Sequence, residues 1–208
     1  MNLLNIKNLA IQFGGIKALS DIDLDVEPEE ILTLIGPNGS GKTTFLRILS
    51  LNSFPTSGEV LYDGLNIHQS PHQYLKNVGL VHDEESLPKH LSASELLEWV
   101  MRSRSLWGED SPHEIKEILD HLALVERDEP IGTYSTGMRK KTQIAAAFIV
   151  KPRVMILDEP LRGLDVSTRE IVFELLNRAK KENTLILMAS HSMATSKDFF
   201  DEIVEFPL

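Results

Sequence analysis

Strand-length apolar runs alternate with segments in which apolar residues recur every three or four positions, and this alternation predicts an α/β architecture with a largely parallel sheet. Residues 3–13 and 22–26 read as early strands of an antiparallel portion, and the apolar run Ile31-Leu32-Thr33-Leu34-Ile35 as a strand leading into a helix. Residues 58–64 read as a short strand ending in a turn, and 77–81 as another strand. From residue 92 to about 127 the pattern turns helical: Ser92 or Ser94 caps a helix reaching Arg104, Ser111-Pro112 opens a second, and Ile115, Ile118, Leu119 and Leu122 fall on one helix face. The α/β alternation then resumes, with a helix near 138–150, a strand at 154–157, a helix at 168–181 and a strand at 184–189. A short helix at 192–200 and a strand at 202–206 close the chain, which shows neither an internal repeat nor a low-complexity linker.

Composition narrows the class. A chain of 208 residues with 42% hydrophobic content can bury a substantial core. Its longest apolar run, residues 144–150, is far too short to cross a bilayer. The N-terminus lacks the charged start, apolar middle and small-residue cleavage site of a signal peptide, so a cytoplasmic location is expected. No cysteine is present, which excludes disulfide, cysteine-zinc and thiol-nucleophile chemistry. A formal charge of -10 argues against broad nucleic-acid binding and against adhesion to anionic lipid, so any membrane link should run through a protein partner.

Two constellations carry the chemistry. Gly36-Pro37-Asn38-Gly39-Ser40-Gly41-Lys42-Thr43-Thr44 lies between a predicted strand and a predicted helix, the setting of a phosphate-binding loop. Backbone N–H groups of such a loop converge with the positive end of the following helix, Lys42 reaches the β and γ phosphates, and the Thr43 hydroxyl ligates Mg²⁺. Val154-Met155-Ile156-Leu157-Asp158-Glu159-Pro160 is an apolar strand that delivers two carboxylates at its carboxyl end, where ligands of open α/β sheets bind. Asp158 is suited to the Mg²⁺ water shell and Glu159 to polarising the water that attacks the γ phosphate.

Between these two motifs stands Tyr134-Ser135-Thr136-Gly137-Met138-Arg139-Lys140-Lys141, directly upstream of a helix. By this third motif and the order of all three, the chain resembles the ATP-binding cassette (ABC) ATPases over essentially its whole length. The resemblance implies a P-loop NTPase fold of the ABC type. It has a RecA-like core at 1–91 and 128–208, an N-terminal antiparallel β portion and a helical subdomain at about 92–127, all within one ABC ATPase domain of 1–208. It implies ATP and Mg²⁺ as cofactors, and a homodimer or heterodimer of ATPase subunits in which Ser135 and Gly137 of one subunit contact the γ phosphate held by the other. Leu161-Arg162-Gly163-Leu164-Asp165 is similar to the loop that links the two nucleotide sites, His191 matches the switch histidine, and Phe13 with Gly14, Ala18 and Leu19 resembles the aromatic loop that stacks on adenine.

Departures from the family pattern carry information. Asp83 stands where the family usually has glutamine; a carboxylate is favoured facing Mg²⁺ and disfavoured facing a phosphate oxygen, which assigns it to the metal or coupling side. The Tyr-Ser-x-Gly-Met form of the signature is similar to drug, antibiotic and lipid exporters. The resemblance thus implies an ATP-hydrolysing subunit, peripheral on the inner face of the cell membrane, that powers a separate membrane-spanning permease subunit for export, with no nucleic acid expected. The alternatives are a soluble ABC-type ATPase acting on ribosomes or DNA, and a cassette of the kind that serves haem export in cytochrome c maturation, which the compact ending resembles.

Overall fold

In the computed structural model, which describes residues 2–84, 86–190 and 200–206, the strands sort into two sheets according to how their side chains are covered. In chain order the elements are β1 (Leu4–Phe13), β2 (Ile16–Val26), β3 (Ile31–Ile35), α1 (Lys42–Leu49), β4 (Ser57–Tyr62), β5 (Leu65–Asn66), α2 (Pro71–Leu75) and β6 (Val78–Val81). They continue with α3 (Ala93–Ser103), α4 (Ser111–His121), a 3₁₀ turn (Ile131–Thr133), α5 (Thr136–Ile149), β7 (Val154–Asp158), α6 (Val166–Lys181), β8 (Leu185–Ala189) and β9 (Glu202–Glu205).

The first sheet is antiparallel, in the order β2-β1-β4-β5. Its first hairpin turns through Gly14 and Gly15, both at positive φ (52° and 89°), the two-residue geometry that matches the twist of paired strands. β2 therefore begins at Ile16 rather than at the expected residue 22. Its start, Ile16 and Lys17, is exposed and escapes an apolar reading, because β1 and the tight turn hold it in place. β5 and α2 also go beyond the sequence expectation, being too short to show a periodicity.

The second sheet has the order β6-β7-β8-β3-β9, and every pairing in it is parallel. All five residues of β7 and of β8 are buried, as expected of strands covered on both faces. Their side chains divide with period two. Leu32, Leu34, Val154, Ile156, Leu185 and Leu187 join a core with α1 and the antiparallel sheet. Ile31, Met155, Leu157, Ile186 and Met188 face the second core, built with α3, α4, α5 and α6. Each such side chain contributes about 1.5–3 kcal/mol on burial, so a one-residue slip in register would forfeit both layers.

Local signals set the helix boundaries. Ser92 starts α3 with a reciprocal capping box: its hydroxyl accepts from Glu95 N (3.1 Å), and the Glu95 carboxylate accepts from Ser92 N (2.9 Å). Just beyond α3, Arg104 Nη1 donates to the carbonyls of Leu75 (2.8 Å) and Val78 (2.9 Å), tying the helical layer to the start of β6. β9 matches the expected last strand to within one residue and lies beside β3. The expected helix at 192–200 lies almost entirely outside the described residues.

The phosphate loop and the carboxyl edge of the parallel sheet

Because β3, β6, β7 and β8 run in one direction, the loops that leave them open at one edge: residues 36–41 after β3, 82–84 after β6, 159–165 after β7 and Ser190 after β8. Such an edge is where ligands bind in open α/β sheets.

The loop after β3 needs its glycines. A Cβ on Gly36 (φ 149°) would lie 2.4 Å from the Phe206 carbonyl oxygen, and one on Gly41 (φ 105°) would lie 2.7 Å from Leu19 Cδ2 and 3.0 Å from the Ala18 carbonyl oxygen. The loop is thus wedged between the end of β9 and the β1–β2 hairpin. Lys42 opens α1 and is buried. Its ammonium lies within the loop and donates to the carbonyl oxygens of Gly36 (2.7 Å) and Pro37 (3.1 Å), with Ser40 Oγ at 3.5 Å. A buried cation on a ring of backbone groups at a helix start makes an anion site.

Thr43, the next residue of α1, brings its hydroxyl close enough to the Asp158 carboxylate at the end of β7 to favour the ionised form. The two predicted Mg²⁺ residues therefore meet. Asp158 is only 7% exposed, and burial pushes its carboxyl above the usual range; the Thr43 hydroxyl opposes that rise and the nearby Asp83 charge adds to it. Among the described residues no group of three or more His, Asp or Glu side chains converges as a metal cage. A hydroxyl and one carboxylate beside a phosphate loop fit Mg²⁺, which keeps water and phosphate oxygens in most of its six positions.

Glu159 follows at positive φ (49°), its N–H donating to the Ala189 carbonyl oxygen (3.1 Å), so β8 fixes the turn that presents it. Asp83 at the end of β6 pairs with Arg162 (2.7 Å) in the loop after β7. Between β6 and Asp83, His82 is half-buried; burial draws its imidazole below the usual value against the opposing pull of Asp158.

The signature residues stand at the head of α5. Ser135 is its N-cap, the hydroxyl accepting from Met138 N (3.2 Å), and a Cβ on Gly137 would lie 3.1 Å from the Gly163 carbonyl oxygen. The signature and the loop after β7 are therefore neighbours within one chain. Asp165 caps α6, its carboxylate accepting from Thr168 N (2.8 Å), Ser167 Oγ (2.7 Å) and Thr168 Oγ1 (3.0 Å), and these bonds hold its carboxyl far below the usual range. What the structure gives this side chain is a helix start. Phe13 is 54% exposed at the tip of the β1–β2 hairpin, which rules out a core role, and Ala18 and Leu19 of the same hairpin touch the loop. His191 lies outside the described residues.

Three residues without an expected role also bear on the edge. The Lys140 ammonium, fully buried, donates to the His82 carbonyl oxygen (2.8 Å), and Gln143 Nε2 donates to the Glu84 carbonyl oxygen (3.0 Å). Their spacing of three along α5 is the signal a sequence offers for them. Arg162, seventy-nine residues from Asp83, offers none.

Comparison with known proteins agrees with this geometry. Residues 19–162 match the ABC transporter family model. The chain is 32% identical over 205 residues to the spermidine/putrescine import ATP-binding protein PotA of Clostridium novyi (strain NT), covering 98% of this chain and 59% of that protein. It is 32% identical over 195 residues to the ABC transporter ATP-binding protein NatA of Bacillus subtilis (strain 168), covering 91% and 78%. It thus spans about six-tenths of that PotA relative and more of NatA. Among solved structures, the ATP-binding subunit of an ABC transporter superposes with a TM-score of 0.92 at 26% identity, over 98% of this chain and 85% of the other. A dimeric bacterial ABC transporter cassette does so at 0.89 and 25%, over 98% and 94%. With the family's phosphate loop, carboxylate strand and signature helix placed on its fold, the chain belongs to the ABC transporter family and carries an ABC-type ATPase cassette.

Proposed function

We propose that this chain is the ATP-hydrolysing subunit of a transporter, working as a pair of cassettes that drive a separate membrane-spanning subunit. The observation that carries the reading is the meeting of Thr43 and Asp158 beside the Lys42 loop, with Glu159 next in the chain. Gly36, Asn38, Gly39, Ser40, Gly41 and Thr44 would line the phosphates with N–H groups while Pro37 shapes the turn, and Phe13 would pack on the adenine. Mg²⁺, when bound through Thr43 and Asp158, supplies neutralising charge on the phosphates. Glu159 would hold the proton of the attacking water, and His191 would hydrogen-bond the γ phosphate.

Ser135 and Gly137 would complete the site of a second cassette. A hydroxyl and an N–H at the head of α5 form another anion site, and the dimeric solved relative shows that a cassette of this fold can pair. We assign residues 92–127 to the helical subdomain that, with the Asp83 region, would meet the membrane partner. No helix among the described residues is long and apolar enough to cross a membrane, so the passage would belong to that partner, with the cassette on the inner face of the membrane. The form of the signature supports export; the PotA relatives are named for import, so direction calls for its own measurement.

Purification of tagged Glu159→Gln from gently solubilised native membranes with Mg·ATP tests the reading. A stoichiometric polytopic membrane protein is the expected companion. Ribosomes or DNA-associated proteins in its place would overturn it in favour of a soluble ATPase. ATP-driven substrate uptake by inverted vesicles would fix the direction as export.

A further inference from the structure

The segment that leaves β6 is held by three side chains from two elements. Lys140 and Gln143 of α5 bind the carbonyls of His82 and Glu84, and Arg162 grips Asp83 through its carboxylate (Nη1 to Oδ1, 2.7 Å) and its carbonyl (Nη2 to O, 3.4 Å). Arg162 belongs to the loop that begins at Glu159 and runs past Gly163 at the signature. One short loop therefore touches the position of the general base, the signature and Asp83. The Asp83 charge in turn reaches Asp158. The Arg162 and Asp83 side chains are 56% and 35% exposed, so water screens most of the pair's contribution to folding, while the Asp83 Oδ1 that faces the guanidinium is itself buried, with a charge partner but no hydrogen bond among the described residues. Its placement points to the site instead.

Resting on the ATPase reading above, we propose that Arg162 is a positioning residue: it holds Asp83 as a second carboxylate beside the metal position and thereby sets the divalent-cation requirement of nucleotide binding. The guanidinium both fixes the direction of the carboxylate and offsets its charge. Without Arg162, the Asp83 carboxylate is free to turn toward the cation and its charge is uncompensated, so the cation binds more tightly. Without Asp83, the second negative charge beside the cation is lost and the cation binds less tightly.

A double-mutant cycle on the full chain tests this, with Arg162→Gln, Asp83→Gln and the two combined. The readout is the Mg²⁺ concentration for half-maximal binding of a fluorescent ATP analogue, measured at equilibrium, together with thermal unfolding in a metal chelator. Arg162→Gln should lower the Mg²⁺ midpoint by about three- to tenfold and Asp83→Gln should raise it by a similar factor, as expected for single charges at short range in a partly hydrated site. In the Asp83→Gln background the Arg162 effect should fall below about twofold, because the positioned group is gone. Melting of Arg162→Gln in chelator should stay close to that of the parent. An unchanged or raised midpoint in Arg162→Gln overturns the proposal, as does the same shift in both backgrounds, which would make Arg162 a plain charge. Absence of analogue binding by the unaltered chain would remove the nucleotide reading and this proposal with it.

Discussion

Glu159 and Asp158 are adjacent carboxylates given different work by their surroundings. Glu159 sits at positive φ on a turn fixed by the Ala189 carbonyl, so replacing it with Gln keeps the shape and removes the proposed base. ATP turnover should fall by roughly 10²–10⁴, the usual worth of a general base, while nucleotide binding persists; near-normal turnover in a steady-state assay would remove that role. Asp158 is buried, and its folded pKa is raised above the unfolded value. For an acid this sign means that ionisation opposes folding. The penalty is absent at low pH, grows as pH rises from an unfolded value of about 3.9 through the raised folded value, and is complete above it. Asp158→Asn should therefore raise the melting temperature of the nucleotide-free protein at neutral pH, the gain fading toward acid, while Mg²⁺-dependent hydrolysis is lost. A mutant less stable than its parent at neutral pH would show that the carboxylate serves the fold instead.

Among the elements, the capping box of α3 and the seat of β9 are the sharpest tests. Ser92→Ala removes the acceptor for Glu95 N and should cost about 1 kcal/mol in denaturant unfolding; no change would mean that water replaces the cap without loss. Phe206, 4% exposed, follows β9 and packs on Phe45 of α1 with ring centroids 5.6 Å apart, while its carbonyl closes on Gly36. Phe206→Ala should cost about 3–5 kcal/mol and should weaken nucleotide binding too, since the last strand braces the phosphate loop. Stability lost with binding intact would separate the two. These elements also show what is legible in a sequence. The phosphate loop, the carboxylate strand and the cap at Ser92 are local patterns whose meaning lies within a few residues. β5, α2 and the start of β2 stay hidden, because neighbouring strands and turns rather than side-chain periodicity hold them. The Asp83–Arg162 pair and the anchors Lys140 and Gln143 join distant segments, and their contacts exist only once β6, β7 and α5 are assembled.

At the scale of the whole molecule, the all-parallel order β6-β7-β8-β3-β9 gathers four loops at one edge, and the antiparallel sheet and the helices cover the two faces. That edge carries the phosphate loop and the carboxylates, while the signature stands at the head of α5 against the loop after β7. In the proposed mechanism a complete catalytic site is therefore the property of two cassettes rather than one. Its most direct test is the ATPase rate of the purified chain per molecule, followed over several decades of protein concentration with association monitored by light scattering. Specific activity should rise as chains pair. Undiminished specific activity under conditions where the chain is monomeric by scattering would mean that one cassette suffices, against the shared site.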